Sequence, residues 1–403
     1  MFSKFTVESF VYPNPDREPA AFLDTLEAVV RAHGPETVLM PFHKETYLIA
    51  RHRARFEPIC KFALPAYEQI RTVHDKGTLA RLAAERGIPG PRTVVPETRE
   101  EFRDAAATFA YPAFVKLRES AAAVGVKKVD SAGEAIAAYD DFVARFKPAT
   151  PPLLQAGVGG DDYCATFLFE RGALRATMTY HNLRAYPVRS GTGVLRETVE
   201  APAIERIGAE LLGSLGWHGV AEVDFRWEGG DDVPQLIEVN PRFWGGLTQS
   251  VEAGWDYPYM LYRLAVDGTV PPAAEGDRTV RTEAPVLALM ATLHEVVHDE
   301  AAMERMKTAF EELRGGYVRG NRRRALRKFF GGLGGTLDLK GRMEEVRALF
   351  GDHANARSDV FKWSDPLPAL GMLYPLAVFV KHGKVSLELL VSEGPGVQEP
   401  EGD

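Results

Sequence analysis

LIEVNPRFWGG, residues 236–246, decides how this chain folds, together with VAEVDF, residues 220–225, shortly before it. Glu228-Gly229-Gly230-Asp231-Asp232 separates the two runs, so Val220–Trp227 and Gln235–Asn240 are expected as a hairpin. Alternate side chains of a strand share a face. Glu238, Asn240 and Arg242 therefore point one way, as do Glu222 and Asp224 on the partner strand. Two acid-bearing strands facing one site call for a cation. A few hard oxygen donors suit magnesium that keeps water and phosphate oxygens in its other positions. Arg242 adds a planar fork for phosphate or carboxylate. Spacing alone leaves open a plainer arrangement, in which Glu238 and Asp224 pair across the strands with Arg242 or Arg226.

Upstream of this hairpin, Tyr163–Phe169 and Leu174–Tyr180 flank Glu170-Arg171-Gly172, a second hairpin signature. Helix Ile204–Leu215 lies between the two hairpins. Further back, Ala113–Leu117 reads as a buried strand followed by a loop, Arg118–Gly125, a paired strand at Val126–Val129 and an amphipathic helix at Ser131–Phe146. A helix opens at Asp75, a good N-cap, and stops at Gly87 before Ile88-Pro89-Gly90-Pro91; an extended segment follows at Thr93–Val95. The chain begins with a helix over Phe22–Ala32 and a short strand at Thr37–Met40. The middle is thus strand-rich with helices laid between, an α+β pattern.

Beyond Asp267-Gly268 the composition shifts to charged helical stretches, Thr292–Leu313 and Leu339–Phe350. Arg319–Lys328 is strongly basic and precedes Phe329-Phe330. Pro366–Val380 is uncharged but too short and too rich in proline to span a membrane. The final EGPGVQEPEGD is an acidic tail with the composition of disorder. At 403 residues, with 45% hydrophobic and 26% charged content, the chain can form two or three domains. Its net charge of −8 gives no general attraction to nucleic acid. Cys60 and Cys164 stand alone, without zinc-site or disulfide spacing, which fits a reducing cytoplasm. The N-terminus lacks the apolar run of a signal peptide.

The run EVNPRFWGG, with EAGWDYPYMLYRLAVDG at residues 252–268, resembles the carboxylate–amine ligase branch of the ATP-grasp superfamily, over roughly Leu39 to Gly268. The resemblance implies a mixed α+β and α/β chain. Two α+β subdomains sandwiching ATP would occupy residues 73–272, after a shortened N-terminal α/β domain at 1–72 and before a mostly helical extension at 273–403. It also implies that Asp224, Glu238 and Asn240 bind magnesium, with manganese as an alternative ion, and that Arg242 lies near the transferred phosphoryl. Lys76 and Lys116 match the two lysines that hold ATP phosphates. LLQAGVGGDDY, residues 153–163, resembles the hinge beside adenine, with Gln155 at its entry, Val158 within it and Asp162 at the ribose hydroxyls. HNLRAYPVRSGTG, residues 181–193, resembles a basic strand and turn, in which Arg184 and Arg189 hold the substrate carboxylate or phosphoryl group. The loop after Lys116 carries one glycine, Gly125, where the family usually has several.

The implied reaction activates a small-molecule carboxylate as an acyl phosphate, joins it to an amine, and releases ADP and phosphate. A homodimer is compatible with this. Two alternatives share the scaffold: a phosphotransferase or carboxylating enzyme, and a non-catalytic ATP-binding regulatory or membrane-peripheral module. The last rests on Arg319–Lys328 and the apolar stretches near it. The preferred expectation is that the apolar stretch packs on the body and the arginines are solvated.

Overall fold

The computed structural model describes residues 3–42, 44–120, 125–186, 191–296, 351–372 and 374. Compactness divides the chain into a larger unit, Phe10–Asn182 with Glu197–Val280, and a smaller one, Met1–Ser9 with Leu183–Arg196 and Arg281–Asp403.

The larger unit opens with α1 (Pro19–His33), α2 (Lys44–Arg51), α3 (Arg53–Phe56), α4 (Tyr67–His74) and α5 (Lys76–Glu85). Phe22, Leu23, Leu26 and Val30 recur at helical spacing and form the buried face of α1. The strand expected at Thr37–Met40 shrinks to one parallel bridge between Val38 and Lys61. Pro41, which has no N–H, follows directly and ends any ladder there.

A four-stranded antiparallel sheet follows, built from β1 (Thr93–Val94), β2 (Ala113–Lys116), β3 (Val126–Val129) and β4 (Leu153–Ala156) in the order β1-β4-β2-β3. Two helices cover one face of it, α6 (Arg99–Thr108) and α7 (Ala132–Phe146). Thr98 and Ser131 cap them, each hydroxyl accepting from a backbone N–H three residues on, Glu101 or Glu134. Phe102, Ala106, Tyr139 and Phe142 from these helices pack on Ala113, Val115, Val129 and Leu154. With Ala113 and Val115 turned to the helices, Lys116 must lie on the uncovered face.

The second sheet of this unit runs β7-β6-β5-β8-β9, with β5 (Asp161–Glu170), β6 (Ala173–Tyr186), β7 (Thr192–Val199), β8 (Gly219–Trp227) and β9 (Gln235–Asn240). Both expected hairpins form, β5 with β6 and β8 with β9. Helix α8 (Pro202–Ser214) covers one face: Ile204, Leu211 and Leu212 pack with Phe167, Phe169, Val223 and Phe225. On the other face, Leu168 and Val220 pack with Trp244, Trp255 and Tyr257, from the segment containing α9 (Leu247–Glu252) and α10 (Tyr257–Asp267). Toward the far end of the same face, β5 and β8 present Asp162, Cys164, Glu222 and Asp224 in place of apolar side chains.

The smaller unit holds the outer ends of β6 and β7, with β10 (Arg281–Glu283), α11 (Pro285–Val296), β11 (Arg357–Ser358) and a 3₁₀ turn at Leu367–Met372. Ala284 N–H donates to Val194 O at 2.8 Å, and β10 pairs in parallel with β11. His353 ties this unit together, Nδ1 to the Glu283 carboxylate and Nε2 to Thr292 Oγ1 at 2.7 Å. Of the expected helix Thr292–Leu313, residues 292–296 belong to α11, which begins earlier, at Pro285. The rest of it, Leu339–Phe350, the basic Arg319–Lys328 and the acidic tail lie outside the described residues. Among the described residues no helix is long and apolar enough to cross a membrane.

Candidate active site

Register brings the acids together. Asp224 lies opposite Glu238 and Glu222 opposite Asn240 across β8 and β9. Asn240 Nδ2 donates to Asp224 Oδ2 at 3.2 Å and to Glu222 Oε2 at 3.3 Å. Arg242, just past β9, turns back and donates to Asn240 Oδ1 at 3.0 Å and to Phe243 O at 2.8 Å. The cross-strand pairing that spacing left open is not what forms, because Arg226 goes to Asp162 at 3.0 Å and Glu238 goes to a lysine. Asp224 Oδ1 is buried with no hydrogen-bond partner. Burial, with Glu222 and Glu238 beside it, pushes the Asp224 carboxyl well above the usual range.

Two buried lysines face these acids. Lys76 Nζ lies 3.2 Å from Glu238 Oε2 and donates to Ser120 O at 2.7 Å. Lys116 rises from the end of β2 and donates to Gln155 Oε1 at 2.6 Å. Burial raises the Glu238 carboxyl, but Lys76 and Lys116 outweigh it and hold the group at about 2. Lys116 moves the other way: burial pulls its ammonium down to about 8, against the attraction of Glu238.

A closed ion pair positions Lys76. Asp75 caps α5, accepting from the Gly77 and Thr78 N–H groups at 2.8 and 2.9 Å. Arg118 grips the same carboxylate through Nε at 3.0 Å and Nη2 at 2.8 Å, and both side chains are buried. Gly77 makes room for this, since a Cβ there would sit 2.7 Å from Val95 Cγ1 and 2.9 Å from Arg118 Nε. Lys76 N–H in turn donates to Arg118 O at 3.0 Å.

Gln155 is buried on β4 and donates to Thr93 Oγ1 at 3.0 Å, so its carbonyl is fixed toward Lys116. Val158 lies in the connection between β4 and β5. That connection ends at Gly160 (φ +86°), where a Cβ would stand 2.5 Å from the Trp227 carbonyl carbon, so only glycine lets it approach β8. Arg226 donates to Gly160 O at 2.9 Å and so anchors this turn together with Asp162. Arg184 belongs to the smaller unit, where it is buried against Asp352 at 2.9 Å. Arg189 lies outside the described residues.

The structure adds groups that sequence reasoning passed over. Cys164 stands opposite Asp224 on β5, and among the described residues Cys164, Glu222 and Asp224 bring one ligand atom each within 4.8 Å of the others. Tyr180 on β6 donates to the Glu222 carboxylate. His74, just before Asp75, is drawn down to about 4 by burial and by Lys76, and is therefore neutral; the Tyr47 ring packs edge-on against it at 4.5 Å. The sequence signal for His74 was its place beside Asp75-Lys76. Cys164 and Tyr47 gave none.

A family model described as ATP-grasp in the biosynthetic pathway with Ter operon matches residues 179–287. Three solved structures share the fold. Biotin carboxylase from Campylobacter jejuni, in complex with β,γ-ATP, is 13% identical with a TM-score of 0.55, covering 66% of this chain and 63% of that one. The biotin carboxylase domain of Hydrogenobacter thermophilus 2-oxoglutarate carboxylase, in complex with MgADP, ADP and bicarbonate, is 15% identical with a TM-score of 0.52, covering 64% and 60%. L-amino acid ligase from Bacillus licheniformis is 15% identical with a TM-score of 0.51, covering 62% and 61%. The chain thus spans 60–63% of the length of these three proteins. With the family match running from β6 into α11 and the fold shared with these enzymes, the chain has the ATP-grasp fold, and residues 179–287 are similar to an ATP-grasp family.

Proposed function

We propose that this chain is an ATP-dependent carboxylate–amine ligase that forms an amide or peptide bond through an acyl phosphate, with residues 73–272 as its catalytic domain. One observation carries the reading: Asp224 and Glu238 sit side by side with Asp224 Oδ1 unpartnered, across from two buried lysines. Like-charged carboxylates in that arrangement fit a divalent cation, and buried ammonium groups beside them fit a polyphosphate. Magnesium or manganese held by Asp224, Glu238 and Asn240 would supply charge neutralisation at the phosphate oxygens.

The chain's own residues do the remainder. Lys76 and Lys116 hold the phosphates, Gln155 keeps Lys116 aimed, and the Val158 connection with Asp162 flanks the nucleoside. In line with the leaving ADP, a carboxylate oxygen of the substrate attacks the γ-phosphorus and the β–γ bridging bond breaks. Arg242 stabilises the charge on the transferring group. An amine then attacks the acyl carbon, phosphate leaves and the amine's proton passes to solvent. Arg184 and Arg189 are proposed to hold an anionic group of the substrate. Both free thiols, Cys60 and Cys164, are buried, which agrees with a cytoplasmic protein.

An ADP-release screen with small acids and amines, singly and in pairs, tests this. The ligase reading expects ADP only where an acid is present, with amide formed once an amine is added. ADP released with bicarbonate alone would turn the assignment to a carboxylating enzyme, and release with an alcohol alone to a phosphotransferase.

A further inference from the structure

Tyr47 stands on α2, outside every element assigned to the site above. Its ring joins the core formed by α4, α5 and the large sheet, and packs on His74, two residues before Lys76. Its hydroxyl is buried and has no hydrogen-bond partner. The charges acting on it are those of Arg242, Glu119 and Glu238, with the Arg242 guanidinium foremost. Burial also drives its ionisation far upward, so the phenol is a permanent donor.

A buried hydroxyl without a partner is costly, and phenylalanine would fill the same space without that cost. Tyr47 packs against the cluster that holds Val239 of β9, the strand that leads to Arg242, and a donor in the field of that guanidinium suits an oxygen that carries negative charge. We propose that Tyr47 Oη and the Arg242 guanidinium together hold an oxyanion of the reacting group, either the acid's carboxylate or the transferred phosphoryl. This rests on the ligase reading for the name of the ligand, but not for its chemistry. The N-terminal helices then supply one wall of the acyl-phosphate end, and the segment before residue 73 is part of the site.

The test uses the full chain saturated with MgADP, as wild type and Tyr47→Phe, and measures the binding of inorganic phosphate and of phosphonoacetate by calorimetry. Loss of one hydrogen bond to a charged oxygen is expected to weaken binding by about tenfold or more. MgADP affinity stays unchanged and serves as the control for folding. Weakening of both probes places the phosphoryl at Tyr47; weakening of phosphonoacetate alone places the carboxylate there. Equal affinity of wild type and Tyr47→Phe for both probes overturns the proposal, as does a wild type that binds neither. Wild-type binding of both probes without acid-driven ADP release would instead end the ligase reading and leave the oxyanion site standing.

Discussion

Asp75 and Asp224 are two carboxylates of the same unit in opposite electrostatic circumstances. Asp75 accepts two backbone N–H groups and a two-nitrogen grip from Arg118, and despite burial its carboxyl lies below the usual range. Asp224 has Glu222 and Glu238 as neighbours, one oxygen without a partner, and a carboxyl pushed well upward. The smaller unit repeats the first pattern, with Arg196 on Asp359. A charge arranged for folding is closed by its partners, whereas a charge arranged for a ligand is left open at a cost to the unliganded fold. The contrast separates the scaffold of the site from its chemistry.

The sharpest way to break the contrast is Glu238→Gln. Side-chain volume barely changes, but one proposed ligand loses its charge and Lys76 its ion-pair partner. ADP release is expected to fall by on the order of 100-fold or more while circular dichroism stays that of the wild type. Turnover within a factor of a few of wild type would remove Glu238 from the site. Arg118→Met attacks the other side. It leaves the Asp75 carboxylate buried with only its cap bonds, and the expected loss is about 3 kcal/mol of unfolding free energy in urea melts. A loss well under about 1 kcal/mol would mean that the pair is not closed in solution.

Lys116 offers a smaller and reversible test. With its ammonium at about 8 in the free protein, it is largely charged at pH 7 and largely neutral at pH 9. If it holds phosphate, the dissociation constant of MgADP should rise about tenfold between those pH values, because binding then requires proton uptake. Lys116→Met should bind more weakly and show no such slope. A wild-type slope that persists in the variant would assign the titration to another group.

What the sequence revealed followed from distance along the chain. The β8–β9 hairpin was legible because alternation and a Gly-Gly turn are local, and Asp75 was legible as a cap because capping spans three residues. Lys116 was legible as the end of an apolar strand, while its role came from the resemblance. Arg118 was read only as part of a loop, because its partner Asp75 is 43 positions away. Asp352 lies 168 positions from Arg184, so their pairing was not legible locally. Cys164 meets Asp224 only through the β5–β8 register, which no local pattern fixes. Tyr47 and His74 come from two helices whose packing the periodicity of neither one encodes. The strand at Thr37–Met40 failed for the reverse reason: its apolar run was local evidence, but among the described residues it pairs through the single bridge to Lys61.

Asp224→Asn gives the smallest effect and the most discriminating sign. The folded carboxyl of Asp224 titrates above its unfolded value. As pH rises through that window the unfolded chain has already released its proton while the folded chain still holds it. Stability therefore falls with rising pH and stays lowered above the raised value. Asparagine cannot ionise, so without divalent cation the variant should be the more stable protein at pH 7, by on the order of 1 kcal/mol or ~2 °C in Tm. Added magnesium reverses the order, since a cation relieves the repulsion in the wild type and has less to bind in the variant. Scanning calorimetry with and without magnesium reads both halves. A variant less stable than wild type in the absence of cation would show Asp224 to be a closed structural acid like Asp75, and the difference between the two regions would vanish.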